Sequence, residues 1–436
     1  MPIEDYDETS EEDIVRYAKG LIRKSLAEAV SLPSAIKVST GKGRLGNLVE
    51  KYYFGIEPNS FSEPDFPLAK LELKVTGLKR TKGGQLQAKE RLSLTLINFM
   101  ELVSEKFESS SLLSKCERML ILCYEYLPGT NEIDLRFTPN QFVHVMTEHD
   151  IDQIRRDWLT IQQIVADGRA HELSEGDTFY LKASRKGAGK GRDATPQPFS
   201  DLPANRRGFS FSQGYLTSLI AAAPEAGSLS IVPGQTFEQA TSAKLRPYLG
   251  RSKDELVQEF DANGASKSVV RTLVERMLTN GHTSVKELKA AGIQLKIVNL
   301  KANGKARESM SFSPFDYGDV LATPWEESGF AEALERKFLL AVFQADVNGV
   351  ERFVKFGYWN MPFSDRQEAE KVYGQTQSAI KDGTYVLPGI AGSTVAHVRP
   401  HGRDSRDVVL CPDGEYRMKK SFWLNQRYIE KVVANL

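Results

Sequence analysis

The spacing of apolar residues along the chain predicts a mixture of helices and strands. Residues 10–30 (SEEDIVRYAKGLIRKSLAEAV) carry apolar side chains at helical intervals after a Ser/Glu/Asp start, which predicts a helix. Residues 47–54 continue as a short helix that Gly55 closes. Strands are predicted at 70–76 and at 118–126 (RMLILCYEY). Together these elements predict an α/β fold.

A loop and a break in the apolar pattern divide the chain. The stretch 186–205 is rich in Gly, Lys, Pro and Asp, which predicts a loop. The pattern breaks again near 225–232, within AAAPEAGSLSIVPG. We therefore expect two domains, 1–225 and 226–436, because a chain of 436 residues is too long for one ordinary core.

The second half of the chain weakly repeats the first. Three segments recur in the same order, and their offsets change only gradually, as expected if loop lengths alone have changed. The pairs are LAKLELKVTGL (68–78) with KAAGIQLKIVNL (289–300), CERMLIL (116–122) with ERKFLLA (335–341), and RRGFSFSQGYLTSLI (206–220) with KKSFWLNQRYIEKVV (419–433). The repeat predicts two tandem related domains, each a mixed sheet flanked by helices.

Composition indicates a soluble globular protein with no membrane span. The chain has 41% hydrophobic and 26% charged residues, and no apolar run approaches the roughly 20 residues that a span needs. The N-terminus is acidic, unlike a secretory signal, and the three cysteines lack metal-like spacing. We therefore expect a cytoplasmic protein with neither a disulfide framework nor a zinc site.

Charge is balanced overall but not locally. The chain has 57 Lys and Arg residues and 57 Asp and Glu residues, so its net charge gives no sign of a nucleic-acid partner. Segment 182–207 nevertheless holds seven basic residues against Asp193 and Asp201. Such a segment can bind phosphate groups, although a solvated flexible linker has the same composition.

One cluster of residues suits phosphodiester hydrolysis. Pro64-Asp65 is followed, after six residues, by Glu72-Leu73-Lys74 on a predicted strand. Alternation along a strand places Glu72 and Lys74 on one face and Leu73 on the other. Asp65 and Glu72 supply the hard oxygen ligands that Mg²⁺ prefers, and Lys74 is placed to orient or deprotonate a water molecule. Alone the pattern is weak, because alternating charges on an exposed strand also produce it.

Glu50 lies on the short helix upstream of this cluster. It would bring a third carboxylate to the metal. The plain alternative is an exposed helix glutamate.

Longer motifs resemble the MutH/Sau-type DNA endonuclease family. This family contains the methyl-directed mismatch-repair nickase and two-domain restriction enzymes that cut at GATC. The motifs are KGRLGNLVEKYYFG (42–55), PDFPLAKLELKV (64–75), LLSKCERMLIL (112–122) and RRGFSFSQGYLTSLI (206–220), with SEGDTFYLKASRKG (174–187), YWNMPFSD (358–365) and FWLNQRYI (422–429) resembling the longer restriction-enzyme branch. The resemblance implies tandem PD-(D/E)xK domains of the restriction-endonuclease type, a Mg²⁺ cofactor and double-stranded DNA as partner.

The resemblance also implies roles for single residues in catalysis. Asp65, Glu72 and Lys74 match the family's catalytic set, and Glu50 matches its upstream catalytic-site glutamate. The metal ligands would then be Asp65, Glu72 and Glu50. Lys115 matches a lysine near the active site, and it is equally well explained as a lysine that begins a strand.

DNA contacts are implied in the same way. The family reads DNA with a loop after a basic strand, and the nickase carries Arg-Pro where this chain has Lys182-Ala183. Lysine lacks the planar fork of arginine, so the same base contact does not follow. The sequence His397-Val398-Arg399-Pro400 in the second half resembles the Arg-Pro version. The implied DNA-binding residues are Lys42, Lys182, Arg185, Lys186, Arg207, Ser210 and Arg399.

The second half departs from the family at the site itself. Gln294 stands where a metal-binding glutamate is expected, Glu287 falls at the aspartate position, and Ala333 falls over Lys115. A neutral amide does not balance the charge of Mg²⁺, so we expect this copy to be inactive. By resemblance it binds DNA and regulates cleavage, in a dimer or in a looped complex on two sites.

Other interpretations remain open from the sequence. Gly41-x-Gly43-x-x-Gly46 matches a dinucleotide fingerprint, but the preceding AIKVST is short and polar for a central strand. A mismatch-repair nickase is the nearest functional alternative, although its single-domain branch does not explain the second half. A DNA-binding protein with a silent nuclease site is the third. The expected function is a type II restriction endonuclease that cuts at GATC.

Overall fold

The structure is a computed structural model that describes residues 6–34, 36, 44–57, 63–81, 83–187, 193–220, 229, 231–232, 234–282, 285–404 and 406–436. Helices and strands alternate within these ranges, so the mixed α/β fold predicted from the apolar pattern is confirmed. In the same ranges, no helix combines the length and the apolar character that crossing a lipid bilayer requires.

Short helices form the N-terminal layer. They are α1 (Glu11–Ala18), α2 (Leu26–Ala29) and α3 (Arg44–Leu48), followed by a π-helical turn, Val49–Phe54. The continuous helix predicted over 10–30 is wrong, because Arg23 has a left-handed backbone (φ 65°) and Ser25 caps a new helix. The end predicted at Gly55 is confirmed, since its φ of 75° closes the π-helical turn.

In the described part of the first half, the strands form two larger sheets and a separate hairpin, and four further α-helices follow the N-terminal ones. The strands are β1 (Glu72–Arg80), β2 (Leu86–Ala88), β3 (Leu92–Leu96), β4 (Arg118–Glu125), β5 (Phe142–Val145), β6 (Leu181–Arg185), β7 (Ala194–Gln197), β8 (Ser200–Asn205) and β9 (Arg207–Phe211). The helices are α4 (Phe99–Leu102), α5 (Ser111–Cys116), α6 (Glu148–Ala166) and α7 (Gln213–Ile220). The strands predicted at 70–76 and 118–126 are therefore confirmed as β1 and β4.

The first sheet has the order β2-β1-β4-β5, and the second has the order β3-β9-β6. Strands β1 and β4 are parallel, while every other pair in these two sheets is antiparallel. The loop predicted at 186–205 is wrong for its second part, where β7 and β8 form a hairpin. Phe199, at φ 61°, makes the turn between them, so Pro198 marks a tight turn and not a long loop. Residues 188–192 of the predicted loop lie outside the described ranges.

The second half contains the remaining elements. Its strands are β10 (Gln294–Leu300), β11 (Met310–Pro314), β12 (Phe338–Ala345), β13 (Glu351–Trp359), β14 (Ala396–Pro400), β15 (Val408–Leu410), β16 (Tyr416–Met418) and β17 (Lys420–Leu424). Its helices are α8 (Phe237–Leu245), α9 (Lys253–Glu259), α10 (Val269–Thr279), α11 (Lys286–Ala290), α12 (Tyr317–Ala322), α13 (Gly329–Leu334), α14 (Phe363–Lys381) and α15 (Gln426–Ala434).

The strand orders of the two halves correspond. Strands β10-β12-β13 pair parallel and then antiparallel, as β1-β4-β5 do, and β11-β17-β14 are antiparallel, as β3-β9-β6 are. Helices α6 and α14, of 19 residues each, follow β5 and β13 respectively. Each half also inserts a two-stranded hairpin in the chain between one outer strand of its second sheet (β6 or β14) and the central strand (β9 or β17).

The pairing register of the strands shows a difference in length between the two halves. Ser110 caps α5 and Ser328 caps α13, and both helices have 6 residues. Glu72 then pairs with Met119, whereas Gln294 pairs with Phe338. The second half therefore has one extra residue, Lys337, between its helix and its strand.

One of the three apolar clusters contains residues of both halves, while each half also has a cluster of its own. Phe179 stacks on Phe237 with ring centroids 4.4 Å apart, and buried residues from both halves belong to the same cluster. Two glycines allow close backbone approach: a Cβ on Gly176 would meet the backbone of Glu335, and one on Gly214 would meet the carbonyl of Lys289 at 1.9 Å. Residues 221–228, which include the predicted boundary at 225, lie outside the described ranges.

Candidate active site

A tight loop brings Asp65 back to the start of β1. Phe66 and Leu71 exchange backbone hydrogen bonds of 3.0 and 3.1 Å, and Lys70 takes a left-handed backbone between them. The carboxylate of Asp65 accepts a bond from the N–H of Leu73 at 2.9 Å, and the N–H of Asp65 donates to Oε2 of Glu72 at 3.2 Å. A backbone N–H beside Glu72 thus holds the carboxylate of Asp65, and the backbone N–H of Asp65 holds the carboxylate of Glu72.

Glu72 lies at the centre of this arrangement. It is 1% exposed, and its Oε1 accepts a bond of 2.5 Å from Nζ of Lys74. Nζ of Lys115, in the last turn of α5, lies 3.8 Å from the same oxygen. Leu73, which alternates with these residues along β1, is buried on the opposite face. The alternation predicted from the sequence therefore places Glu72 and Lys74 side by side.

Glu50 faces the same group from the π-helical turn. Burial, together with the negative charge of Asp65, raises the pKa of Glu50 to about 7, although Lys74 lowers it. Burial also raises the pKa of Glu72, against the lowering effect of Lys74. The five residues predicted for catalysis thus meet in one half-buried, electrostatically coupled group: Glu50, Asp65, Glu72, Lys74 and Lys115.

The carboxylates suit a divalent cation in chemistry but are not yet arranged as a cage. Burial is the main cause of the raised pKa values of Glu50 and Glu72, and the negative charge of Asp65 adds to it, so a bound cation would favour their ionised forms. Asp and Glu oxygens are the ligands that Mg²⁺ takes. Over the described ranges, no three Asp, Glu, His or Cys side chains already form a metal-binding group. Lys74 occupies Oε1 of Glu72, so metal binding at that oxygen requires this ammonium to move.

Three of the predicted DNA contacts are buried. Nζ of Lys182 donates to the carbonyl of Thr178 at 2.5 Å, and Arg207 donates to the carbonyls of Ala183, at 2.7 Å, and of Leu173. The hydroxyl of Ser210, which is 0% exposed, contacts that of Ser184. Because these polar groups are bonded inside the protein, the structure does not support their predicted direct contacts with DNA.

The remaining predicted DNA contacts differ in their surroundings. Arg185 donates to Oε1 of Glu335 at 2.6 Å, and Lys186 donates to the hydroxyl of Ser93 at 2.5 Å. Arg399 is exposed, with its guanidinium carbon 4.3 Å from the centre of the Trp423 ring. Lys42 lies outside the described residues. The sequence prediction missed Glu335, and no local signal marks it, since it lies 150 positions from Arg185.

On the corresponding strand of the second half, Lys296 is in the place of Lys74, but no acid is in the place of Glu72. Nζ of Lys296 donates to the carbonyl of Ser311 at 3.1 Å and lies 5.2 Å from the centre of the Phe312 ring. Its neighbour on the strand face is Gln294, and Glu287 accepts a bond from the N–H of Leu229 at 2.9 Å. These residues line or flank a cleft of about 780 Å³ whose wall includes Lys296 and Ala333.

Comparison with known proteins identifies the class to which this geometry belongs. A family model described as "DNA mismatch repair enzyme MutH" matches residues 54–157, a span that contains Asp65, Glu72, Lys74 and Lys115. The match and the acid–lysine group on β1 define a MutH-like endonuclease.

A relative that aligns over nearly its whole length indicates the type of endonuclease. The "Type II restriction enzyme Sau3AI" of Staphylococcus aureus is 31% identical to this chain over 481 aligned positions, which cover 96% of the chain and 97% of the relative. The chain therefore belongs to the MutH/Sau-type family of DNA endonucleases, as one of its type II restriction enzymes. The family predicted from the sequence is confirmed.

Proposed function

We propose that this nuclease cuts both strands of double-stranded DNA at 5′-GATC-3′, using Mg²⁺ held in the first half. The observation that carries the proposal is the convergence of Glu50, Asp65, Glu72, Lys74 and Lys115 on one group. The GATC sequence rests on likeness to the restriction-enzyme branch of the family. The cytoplasmic location expected from composition stays a prediction.

Each residue of the group has a role in the proposed reaction. Asp65, Glu72 and Glu50 hold the cation, which supplies Lewis-acid stabilisation at the reacting phosphate. Lys74, bonded to Glu72 in this structure, moves to the attacking water, which its ammonium orients or which its neutral amine, after losing its own proton, deprotonates. Lys115, 3.8 Å from Glu72, offsets negative charge that develops on the phosphate.

We further propose that the second half is a related domain that binds DNA and regulates cleavage. Matching strand orders and the paired 19-residue helices support the relationship. Gln294, Ala333 and the bond between Glu287 and the backbone of Leu229 support loss of catalysis there. Exposed Arg399, stacked on Trp423, supports retained DNA binding, because a guanidinium with free donor edges can contact guanine. Two DNA sites per chain fit a dimer or a looped complex.

The test is digestion of unmethylated plasmid DNA with Mg²⁺, followed by mapping of the ends. Wild-type protein should give discrete double-strand ends at GATC, and Lys74→Ala should give none. Lys296→Ala changes the corresponding lysine of the second half and is the matched control, which should still cut. Single-strand nicks alone would favour the mismatch-repair branch, and ends at another sequence would overturn the GATC assignment.

A further inference from the structure

A cavity of about 510 Å³ lies where the two halves meet, away from the acid–lysine group. Its first-half wall comes from the segment before β3, from β6 and from the start of α7. Its second-half wall comes from the end of α11 and the segment between α13 and β12. The cavity therefore exists only when the halves pack together. Its volume is in the range of ordinary ligand sites.

Positive charge dominates this junction cavity. Among the described residues that line it, six are cationic and three are carboxylates. The cations are Lys89, Arg91, Lys182, Lys289, Arg336 and Lys337, and the carboxylates are Glu90, Glu175 and Glu332. Glu175 bonds Arg91, and Glu332 bonds Arg336 at 2.8 Å, so two carboxylates are already engaged by their own arginines. A net excess of cations remains for a ligand.

Two of these lysines are more than nine-tenths buried. Lys182 is 4% exposed and Lys337 is 8% exposed, and each repels the other, since the charge of Lys337 lowers the pKa of Lys182. Burial is the largest cause of that lowering, to about 8. Lys337 makes one long bond, 3.4 Å to the carbonyl of Asp177, and otherwise faces the ring of Phe179. Asp157 offsets part of the charge of both lysines, and Asp177 and Glu238 offset part of the charge of Lys337. Burial still lowers the pKa of both lysines, so a further anion would stabilise their charged forms.

The pairing register gives independent support. Lys337 is the extra residue of the second half, with no counterpart between α5 and β4. The cavity also shares Gln294 and Arg336 with the cleft beside Lys296, so the two spaces adjoin. A chain of phosphate groups lying in that cleft would reach the junction.

We propose that the junction cavity is a phosphate-binding site, held by Lys289 and Lys337 of the second half against the first-half wall that includes Gln213 and Gly214. A phosphate there would contact both halves at once. The phosphate can come from the backbone of DNA lying along the second half, which rests on the proposed function of that half, or from free phosphate.

The experiment measures the affinity of the full chain for a short DNA duplex that contains one GATC, in the presence of EDTA. The measurement is repeated over a range of salt concentrations, which gives the salt slope of binding. Lys289→Ala and Lys337→Met test the cavity, and Lys286→Ala, an exposed lysine on the same helix α11, is the control. If DNA supplies the phosphate, each cavity variant lowers affinity about tenfold and reduces the salt slope by roughly one, while the control changes neither. Lys337→Met keeps the apolar stem, and a melting temperature no lower than that of the wild type confirms its folding.

A second arm uses inorganic phosphate against sodium chloride at equal ionic strength and measures the melting temperature. If free phosphate is the ligand, phosphate stabilises the wild type and not Lys289→Ala, and DNA affinity is unchanged in the variants. Unchanged DNA affinity with no specific phosphate effect would overturn the proposal. A wild type that fails to cut DNA but is stabilised by phosphate would reject the proposed function and retain the cavity.

Discussion

The corresponding strands β1 and β10 share one framework but carry different side chains where the catalytic group is proposed. On β1, Lys74 bonds Glu72, with Lys115 and Asp65 beside them. On β10, Lys296 bonds a backbone carbonyl, next to Gln294. Strand β10 has the same parallel pairing as β1 and a lysine at the corresponding position. What separates the halves is the loss of acids, so the fold does not depend on the residues that make a nuclease.

The largest expected effect tests this asymmetry directly. Glu72→Ala should reduce cleavage by about 10³-fold, because it removes the central acid that Lys74 and Lys115 both approach. Gln294→Ala, at the corresponding position, should change the rate by less than about tenfold. The measurement is the initial rate of plasmid cleavage. Equal losses in the two variants would show that both halves carry chemistry.

Restoring one acid on β10 should not give the second half cleavage activity. In a Glu72→Ala background, Gln294→Glu is expected to leave cleavage at the background rate, because Ala333 replaces the second lysine and Glu287 is bonded to Leu229. The same plasmid assay measures it. Recovery of cutting would mean that a single carboxylate separates the two halves.

Packing between the halves predicts a smaller effect, on stability. Gly214→Val should lower the free energy of unfolding by about 2–3 kcal/mol, because its Cβ would overlap the carbonyl of Lys289. Thermal unfolding measures the change. Gly374→Val is the control, since a Cβ at Gly374 meets nothing within 4 Å. Equal shifts in both variants would indicate that the close approach of α7 to Lys289 contributes nothing.

The smallest expected effect concerns pH. The pKa of Glu50 is raised from 4.5 to about 7 in the folded protein, so its protonated form contributes stability that is present below pH 4.5 and lost as pH rises through 7. Glu50→Gln, measured in EDTA, should therefore have little effect near pH 4.5 and stabilise the protein at pH 8 by about 1 kcal/mol after screening by solvent. Glu63→Gln, an exposed position, should show no such trend. Stabilisation that is independent of pH would contradict this assignment.

Much of the active half could be predicted because its signals are local. Alternation on β1 sets Glu72 beside Lys74, and the short return from Asp65 needs only seven residues of chain. Glu50 and Lys115 arrive from separate elements, and only the family motifs indicated them. Their meeting at Glu72 depends on the parallel pairing of β1 with β4, which sequence spacing does not encode.

The implied DNA contacts stay predictions, and they show what local sequence patterns do not include. Lys182 and Arg207 were predicted from type and position on basic strands, yet burial decides what a cation can reach. Arg207 is enclosed by the carbonyls of Ala183 and Leu173. Glu335, which bonds Arg185, comes from the other half of the chain. Contacts of this kind depend on how the two halves pack against each other. The hydrophobic periodicity along either half does not predict that packing.

The core that both halves share has a consequence for how this protein can change over time. Phe179 of the first half stacks on Phe237 of the second, and Gly176 lies against the backbone of Glu335. A gene shortened to either half would expose these surfaces and yield an aggregating product. Selection for a folded chain is then enough to preserve the second half after its acids are gone, which leaves its cleft free to acquire another use.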